Sequence, residues 1–444
     1  MSVDTVLYNA KVYTSKGIVE GGVAIKDGRI VKVAKEPNLP EASVKLNLNR
    51  CLVLPGLIDS HVHLRDQQLA YREDFLSGTS AAAAGGVTTV IDMPNNKPVT
   101  INVQSLRTRR KVAETHILVN VAFNSAFPER IEEIREIVHE GAVGFKLYLL
   151  QQIGGINIDD EKRLLQAFKN VAKTKVPIAV HAEDKTAIDK AMKKMRQDKR
   201  EDFDAFLKVH SPEAEVKAIS RVVRLMRSSG AHVHVCHISS EAGLDTILKA
   251  KHEGLELTCE VTPHHLLLSR QALKRHGNFA LEIPPLRTKR DLNALWQALK
   301  KGFIDTIGSD HAPHSIEEKQ ASSIWDVKPG IAGIETLLPL MLTQVNNGRL
   351  TIPQLVRLLC RRPAEIFHFS NRGRLIEGCF ADIVVVDLNR EHKIDATRFY
   401  SKAKFSPFDG WKVKGKPIKT FVNGQLTMDE GEIVAKPGNG QILR

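Results

Sequence analysis

Two histidines one residue apart open the chemistry of this chain. Asp59-Ser60-His61-Val62-His63-Leu64-Arg65 follows a short apolar run, Leu54-Pro55-Gly56-Leu57-Ile58. Side chains two apart on a strand share a face, so His61 and His63 present two imidazoles together where a buried strand surfaces. Such a pair can grip a metal ion, and imidazole suits zinc. An isolated His-x-His is more often a pair of surface or capped histidines. Here further apolar runs end in residues of the same kind: Val180-His181-Ala182-Glu183, Cys236-His237-Ile238-Ser239, Thr262-Pro263-His264-His265 and Ser309-Asp310-His311-Ala312-Pro313-His314. Another ends in Asp92-Met93-Pro94-Asn95. Taken one at a time, each has an ordinary structural explanation. Their recurrence at run after run does not.

Lys146 adds a second kind of signal, because it lies inside an apolar run, Gly144-Phe145-Lys146-Leu147-Tyr148. A charged lysine within a strand is costly unless it is paired or chemically changed. A neutral amine, which burial favours, can add carbon dioxide and become a carbamate with two anionic oxygens. That group can bridge two cations. The expected centre holds two metal ions, and imidazole ligands suit zinc (Zn2+). His61, His63 and Asp310 hold one, His181 and His237 the other, and N6-carboxylated Lys146 lies between them. A hydroxide shared by two cations is then the expected nucleophile, since the cations depress the pKa of bound water. Asp310 is placed to take its proton and pass it to a leaving nitrogen.

Something must gather these residues. Between residues 55 and 373 apolar strands alternate with helical patterns, the order of βα units on a parallel sheet. The predicted strands span 57–63, 87–93, 116–124, 142–148, 176–183, 232–239, 255–265 and 305–314. The predicted helices span 75–84, 128–140, 160–172, 212–228, 240–251 and 288–300. About eight strands match a (β/α)8 barrel of the TIM type, whose active sites sit at the strands' C-terminal ends. An open doubly wound sheet would instead carry its ligand at one switch point. The two ends of the chain read differently. Residues 4–54 alternate apolar and polar, with Lys26-Asp27-Gly28-Arg29 as a hairpin signal. Asp382–Asp387 reads as a strand and 418–426 as another hairpin. Neither end buries much alone, so segments 1–54 and 374–444 are expected to form one composite β-sandwich beside the barrel of 55–373.

Composition narrows the setting. The chain has 444 residues, 42% hydrophobic and 26% charged, an ordinary globular balance. No apolar run approaches the roughly 20 residues of a membrane span. Met1-Ser2-Val3-Asp4 lacks the basic-then-apolar order of a secretion signal. Five cysteines, an odd number in a long chain, point to reduced thiols and a cytoplasmic location. The net charge of +13 is spread along the chain without interleaved aromatics. It therefore fits capture of a small anion better than nucleic-acid binding. Its densest basic stretch, 184–200, reads as a solvated helix and loop.

The order His-x-His, strand lysine, His, His, Asp resembles the amidohydrolase superfamily. The local wording is similar to the class I dihydroorotase branch. It is carried by Asp59–Arg65, Tyr71-Arg72-Glu73-Asp74-Phe75, Ala83–Val90, Asp92-Met93-Pro94-Asn95, Gly144-Phe145-Lys146, Pro263-His264-His265, Pro284-Pro285-Leu286-Arg287 and Gly308–His314. The resemblance implies reversible cyclisation of N-carbamoyl-L-aspartate to L-dihydroorotate, in pyrimidine biosynthesis. It also implies zinc and, at Pro329-Gly330, backbone contacts to the ring. Arg65 offers a planar fork for the substrate carboxylate, with Asn95 as an amide donor near it. His314 is in reach of carboxylate or ring. The expected partners are a small anionic substrate, a second copy of the chain in a homo-oligomer, and an aspartate carbamoyltransferase. Hydantoinases and allantoinases share the metal residues, and an inactive scaffold is a further alternative. One departure stands out: many class I relatives carry Asn before Pro-Pro-Leu-Arg, where this chain has Ile283 after Glu282. Asn278 is near but does not align. His232 and His234 fall on the strand face opposite His237 and are left out of the site.

Overall fold

In the computed structural model, which describes residues 2–444, eight parallel strands lie in chain order. They are β1 (Leu57–Val62), β2 (Val87–Asp92), β3 (Asn120–Ala126), β4 (Ala142–Tyr148), β5 (Ile178–His181), β6 (Val233–Val235), β7 (Leu257–Val261) and β8 (Thr306–Ile307). The sheet nearly closes on itself. A parallel bridge joins Val62 to His311, His63 N donates to His311 O at 2.9 Å, and Ser309 N donates to Asp59 Oδ1 at 3.0 Å. All eight strands are buried along their length. Covered parallel strands read as unbroken apolar runs for this reason.

The helices start and stop where local chemistry tells them to. Asp74 caps Phe75–Ala84 in a reciprocal box with Ser77. Ser211 caps Pro212–Ser229, which has Pro in its first turn and ends on left-handed Gly230, φ +70°. Glu161–Ala172 buries Leu164, Ala167, Phe168 and Val171, one stripe of a 3.6-residue period. The basic stretch 184–200 is largely a helix, Lys185–Gln197, capped by Asp184. Among the described residues no helix is long and apolar enough to cross a membrane.

Some element bounds move. β3 starts at Asn120, not at 116, because Ile117 N still bonds to Ala113 O of the preceding helix. β8 is only two residues long, and the polar run from Ser309 onward is irregular rather than extended. Helix Val103–Glu114 escapes an apolar-period reading because its buried stripe is Leu106, Arg109 and Ala113.

Both ends of the chain meet in one nine-stranded mixed sheet. Leu52–Pro55 knits them together. It runs parallel to Val3–Thr14 (Lys11 opposite Leu52) and antiparallel to Ile383–Lys393 (Ile383 opposite Pro55). Its two expected hairpins turn at Asp27-Gly28 (φ +50°, +73°) and Asn423-Gly424 (φ +50°, +81°), paired positive φ values that suit two-residue turns. Leu7, Val12, Val23, Val53, Ile383, Val385 and Phe421 share an apolar core in this sheet. A buried polar knot ties sheet to barrel: Arg372 pairs with Asp382 and donates to Asn423 Oδ1 at 3.1 Å. Asn423 Nδ2 in turn donates to Asn120 Oδ1 of β3 at 2.9 Å.

Candidate active site

The strand ends converge. Ring centroids of His61 and His63 lie 5.4 Å apart, His61 and His237 5.2 Å, and His181 and His237 4.6 Å. Asp310 Oδ1 sits 3.3 Å from Nε2 of both His61 and His63. Ligand atoms of these three residues all fall within 4.8 Å of one another, close enough to hold one cation. Lys146 Nζ lies 3.3 Å from His61 Nε2 and 3.1 Å from Cys236 Sγ. It is 1% exposed, and no carboxylate pairs with it among the described residues. Two of the converging residues, His237 and Asp310, sit at φ +36° and +45°. Non-glycine residues are rare in that region, and those that occur cluster at functional sites.

The donor set fits a metal. Each of three imidazoles is oriented through one nitrogen by a partner outside the centre. His61 Nδ1 meets Glu260 Oε1 at 2.9 Å, His63 Nδ1 meets Asn95 Oδ1 at 2.6 Å, and His181 Nε2 meets Glu183 Oε2 at 2.7 Å. Outer partners of this sort fix the tautomer and aim a metal-binding ring. Burial drives His63 down to about 3 and His237 well below the ordinary histidine range, so both are neutral, as a ligand must be. Burial alone would raise Asp310, but the charge of the His61 imidazole and the hydrogen bond with His63 hold it well below the usual carboxylate range.

Arg65 lies beside this centre and is 6% exposed. Its Nη2 is 3.4 Å from His314 Nε2, its Nε is unpartnered, and no carboxylate pairs with it among the described residues. Burial, with Arg72's charge, lowers it to about 10, so it stays cationic. Residues 65–67 all have left-handed φ, +53°, +56° and +53°. The turn is held by Arg109, which donates to Arg65 O at 2.7 Å and bonds Asp92 through Nε (3.0 Å) and Nη2 (2.8 Å). His314 is braced by Glu318 at 3.2 Å, which also takes Tyr71 and Arg72. Gly330 packs on His314: a Cβ there would fall 2.7 Å from the imidazole and 2.3 Å from Ala312 O, so glycine is required. Pro329 is half-buried next to it, and Asn95 is half-buried beyond His63.

Other residues of the rim carry no role in the sequence reading. Tyr148 is buried with its hydroxyl unpartnered; burial raises its pKa well above the usual value, so it is a phenol donor. Glu183 takes His210 Nδ1 on its second oxygen at 2.9 Å. Glu260 interrupts the apolar strand Leu257-Thr258-Cys259-Glu260-Val261, the same signal that marks Lys146. His264 is buried with Nε2 unpartnered, whereas His265 is consumed by Thr262 and by Pro284 O. His232 and His234 both bond the Thr258 hydroxyl at 3.0 Å, away from the converging rings. The Tyr71–Phe75 motif is architectural: Glu73 holds His311 and Ser401, and Asp74 caps a helix.

The amidohydrolase family profile matches residues 52–427. The chain belongs to the amidohydrolase family. It is 33% identical to an L-hydantoinase of Paenarthrobacter aurescens over 447 residues, covering 99% of this chain and 98% of that one. It is 36% identical to a dihydroorotase of Methanothermobacter thermautotrophicus over 424 residues, covering 95% and 93%. The solved structure of L-hydantoinase (dihydropyrimidinase) from Arthrobacter aurescens superposes with a TM-score of 0.95 at 33% identity, covering 99% of both chains. The chain is therefore a metal-dependent hydrolase of the cyclic-amide type within this family.

Proposed function

We propose that this amidohydrolase is a dihydroorotase, closing N-carbamoyl-L-aspartate to L-dihydroorotate and reopening it. One observation carries the choice: Arg65 is a buried cation that no carboxylate contacts among the described residues, and its Nε is unpartnered. An unpaired buried charge is costly, and a substrate carboxylate would supply the missing partner. A neutral hydantoin would not. Zinc, which His61, His63, His181, His237, Asp310 and a carboxylated Lys146 would hold, would supply Lewis acidity and acidified water.

The chain's own groups do the rest. Arg65 takes the ring carboxylate in a charge-assisted hydrogen bond, with His314 and the Pro329-Gly330 loop alongside. The Asn95 side-chain nitrogen remains free to donate on the same side, since its oxygen is committed to His63. Tyr148's hydroxyl is available to donate to the reacting carbonyl oxygen as it gains charge. Asp310 receives a proton on its carboxylate and returns it to the ring nitrogen as the amide bond breaks. The test is turnover of both dihydroorotate and carbamoyl aspartate by zinc-loaded protein. Absence of either reaction, with turnover of a neutral hydantoin, would overturn the reading.

A second reading has its own support. The L-hydantoinase likeness spans the whole chain, and Ile283 stands where many class I relatives have Asn. Under that reading Arg65→Met leaves activity nearly unchanged.

A further inference from the structure

Glu282 is a buried acidic side chain beside the residues that would hold a metal, and nothing above uses it. It is 3% exposed. Its Oε1 accepts from Ile283 N at 2.8 Å, while Oε2 has no partner. His264, 1% exposed, also has an unpartnered nitrogen, Nε2. One ligand atom from each of Glu282, His264 and Asp310 lies within 4.8 Å of the others, so both side chains border the reacting centre. The cation nearby among the described residues is spent elsewhere: Lys319, fully buried, donates its Nζ to Leu281 O and Lys328 O, both at 3.1 Å. Gly330 N donates to the same Leu281 carbonyl at 2.9 Å. The segment bearing Glu282 is thus stapled to the Pro329-Gly330 loop and cannot easily swing away.

Buried polar atoms in folded proteins nearly always have partners. Two neighbouring buried side chains, each with an unpartnered atom, at the edge of a reaction site call for a ligand that offers hydrogen-bonding groups. A cyclic amide or ureide does so, through its ring N–H and C=O. Ile283, next in the chain, removes the side-chain amide that many class I relatives have there. We propose that Glu282, flanked by His264, is the specificity-determining residue that receives a ring N–H of the cyclic amide, doing here what an amide side chain does elsewhere. This rests on the cyclic-amide reading of the site, not on the choice between dihydroorotate and a hydantoin.

The experiment is a cycle between protein and substrate. Wild type, Glu282→Gln and Glu282→Leu, each with zinc content measured, are assayed on L-dihydroorotate and 5-methylhydantoin and on their ring N-methyl derivatives. Whichever ring is turned over carries the cycle; if neither is, calorimetric binding of the same compounds does. Glu282→Leu should raise KM about tenfold with kcat nearly unchanged, the scale of leaving one buried hydrogen-bonding group without its partner. Glu282→Gln should stay near wild type. N-methylation at one ring nitrogen should cost the wild type about tenfold and Glu282→Leu little. Equal N-methyl penalties in both proteins would overturn the proposal and leave Glu282 facing only water. If the leucine variant does not fold, Glu282→Asp, one methylene too short, takes its place in the cycle. Failure on dihydroorotate with success on the hydantoin sinks the dihydroorotase reading alone.

Discussion

Two buried polar clusters sit at different places on this barrel. Where the terminal sheet meets β3, Arg372, Asp382, Asn423 and Asn120 satisfy one another in a closed ring of hydrogen bonds. At the mouth, Arg65, Tyr148, His264 and Glu282 are as deeply buried, yet each has an atom with no partner. Burial is the same; pairing is not. A saturated cluster explains itself as architecture, since a buried charge that has its counter-ion needs nothing further. An unsaturated one is a cost the fold tolerates for something that binds there. Arginine makes the contrast most plainly. Arg109, fully buried, is spent on Asp92 and on the Arg65 carbonyl, while Arg65, beside it, has only an imidazole.

The contrast can be broken experimentally. The largest effect belongs to Asp310→Asn, which keeps the shape but loses the proton acceptor: kcat should fall about a thousandfold, within the usual range for general acid–base groups, as read by steady-state turnover. Next is Arg65→Met. It should cost about a hundredfold in kcat/KM for dihydroorotate, a lost charged hydrogen bond at a buried site, and leave hydantoin turnover almost untouched. Glu260→Ala frees the His61 ring and should weaken zinc about tenfold or more, measured by competition with a chelator. Lys146→Ala should lower zinc occupancy, with partial recovery in acetate. Smallest in kinetics is the saturated side. Arg372→Met leaves Asp382 buried without its counter-ion, so it should cost about 3 kcal/mol of stability, seen as a lower Tm, with KM unchanged.

Much of this was legible in the sequence, and the reason is periodic. Strands covered on both faces read as apolar runs, and polar residues at their ends stand out, so His61, His63, His181, His237 and Asp310 could be paired with strand termini before any coordinates. Lys146 was legible because it interrupts a run. Glu260 interrupts one too and carries the same signal. Helix Val103–Glu114 was not legible, because its buried stripe includes Arg109 in place of an apolar residue. Glu282 was visible only as a departure beside Ile283. What sequence spacing cannot supply is which buried polar atoms are already satisfied, since partners such as Asp92 for Arg109, or Glu318 for His314, arrive from elsewhere in the barrel. That pairing separates Arg109 from Arg65, and it comes only with the fold.

The most direct measurement is kcat/KM for L-dihydroorotate and for an uncharged hydantoin, in wild type and Arg65→Met, with zinc determined on each sample. The expected result is that wild type favours dihydroorotate and that the substitution abolishes this preference at unchanged zinc content. A wild type that turns over only the hydantoin, or an Arg65→Met variant that keeps full dihydroorotate activity, would contradict the assignment of Arg65 as the carboxylate's partner.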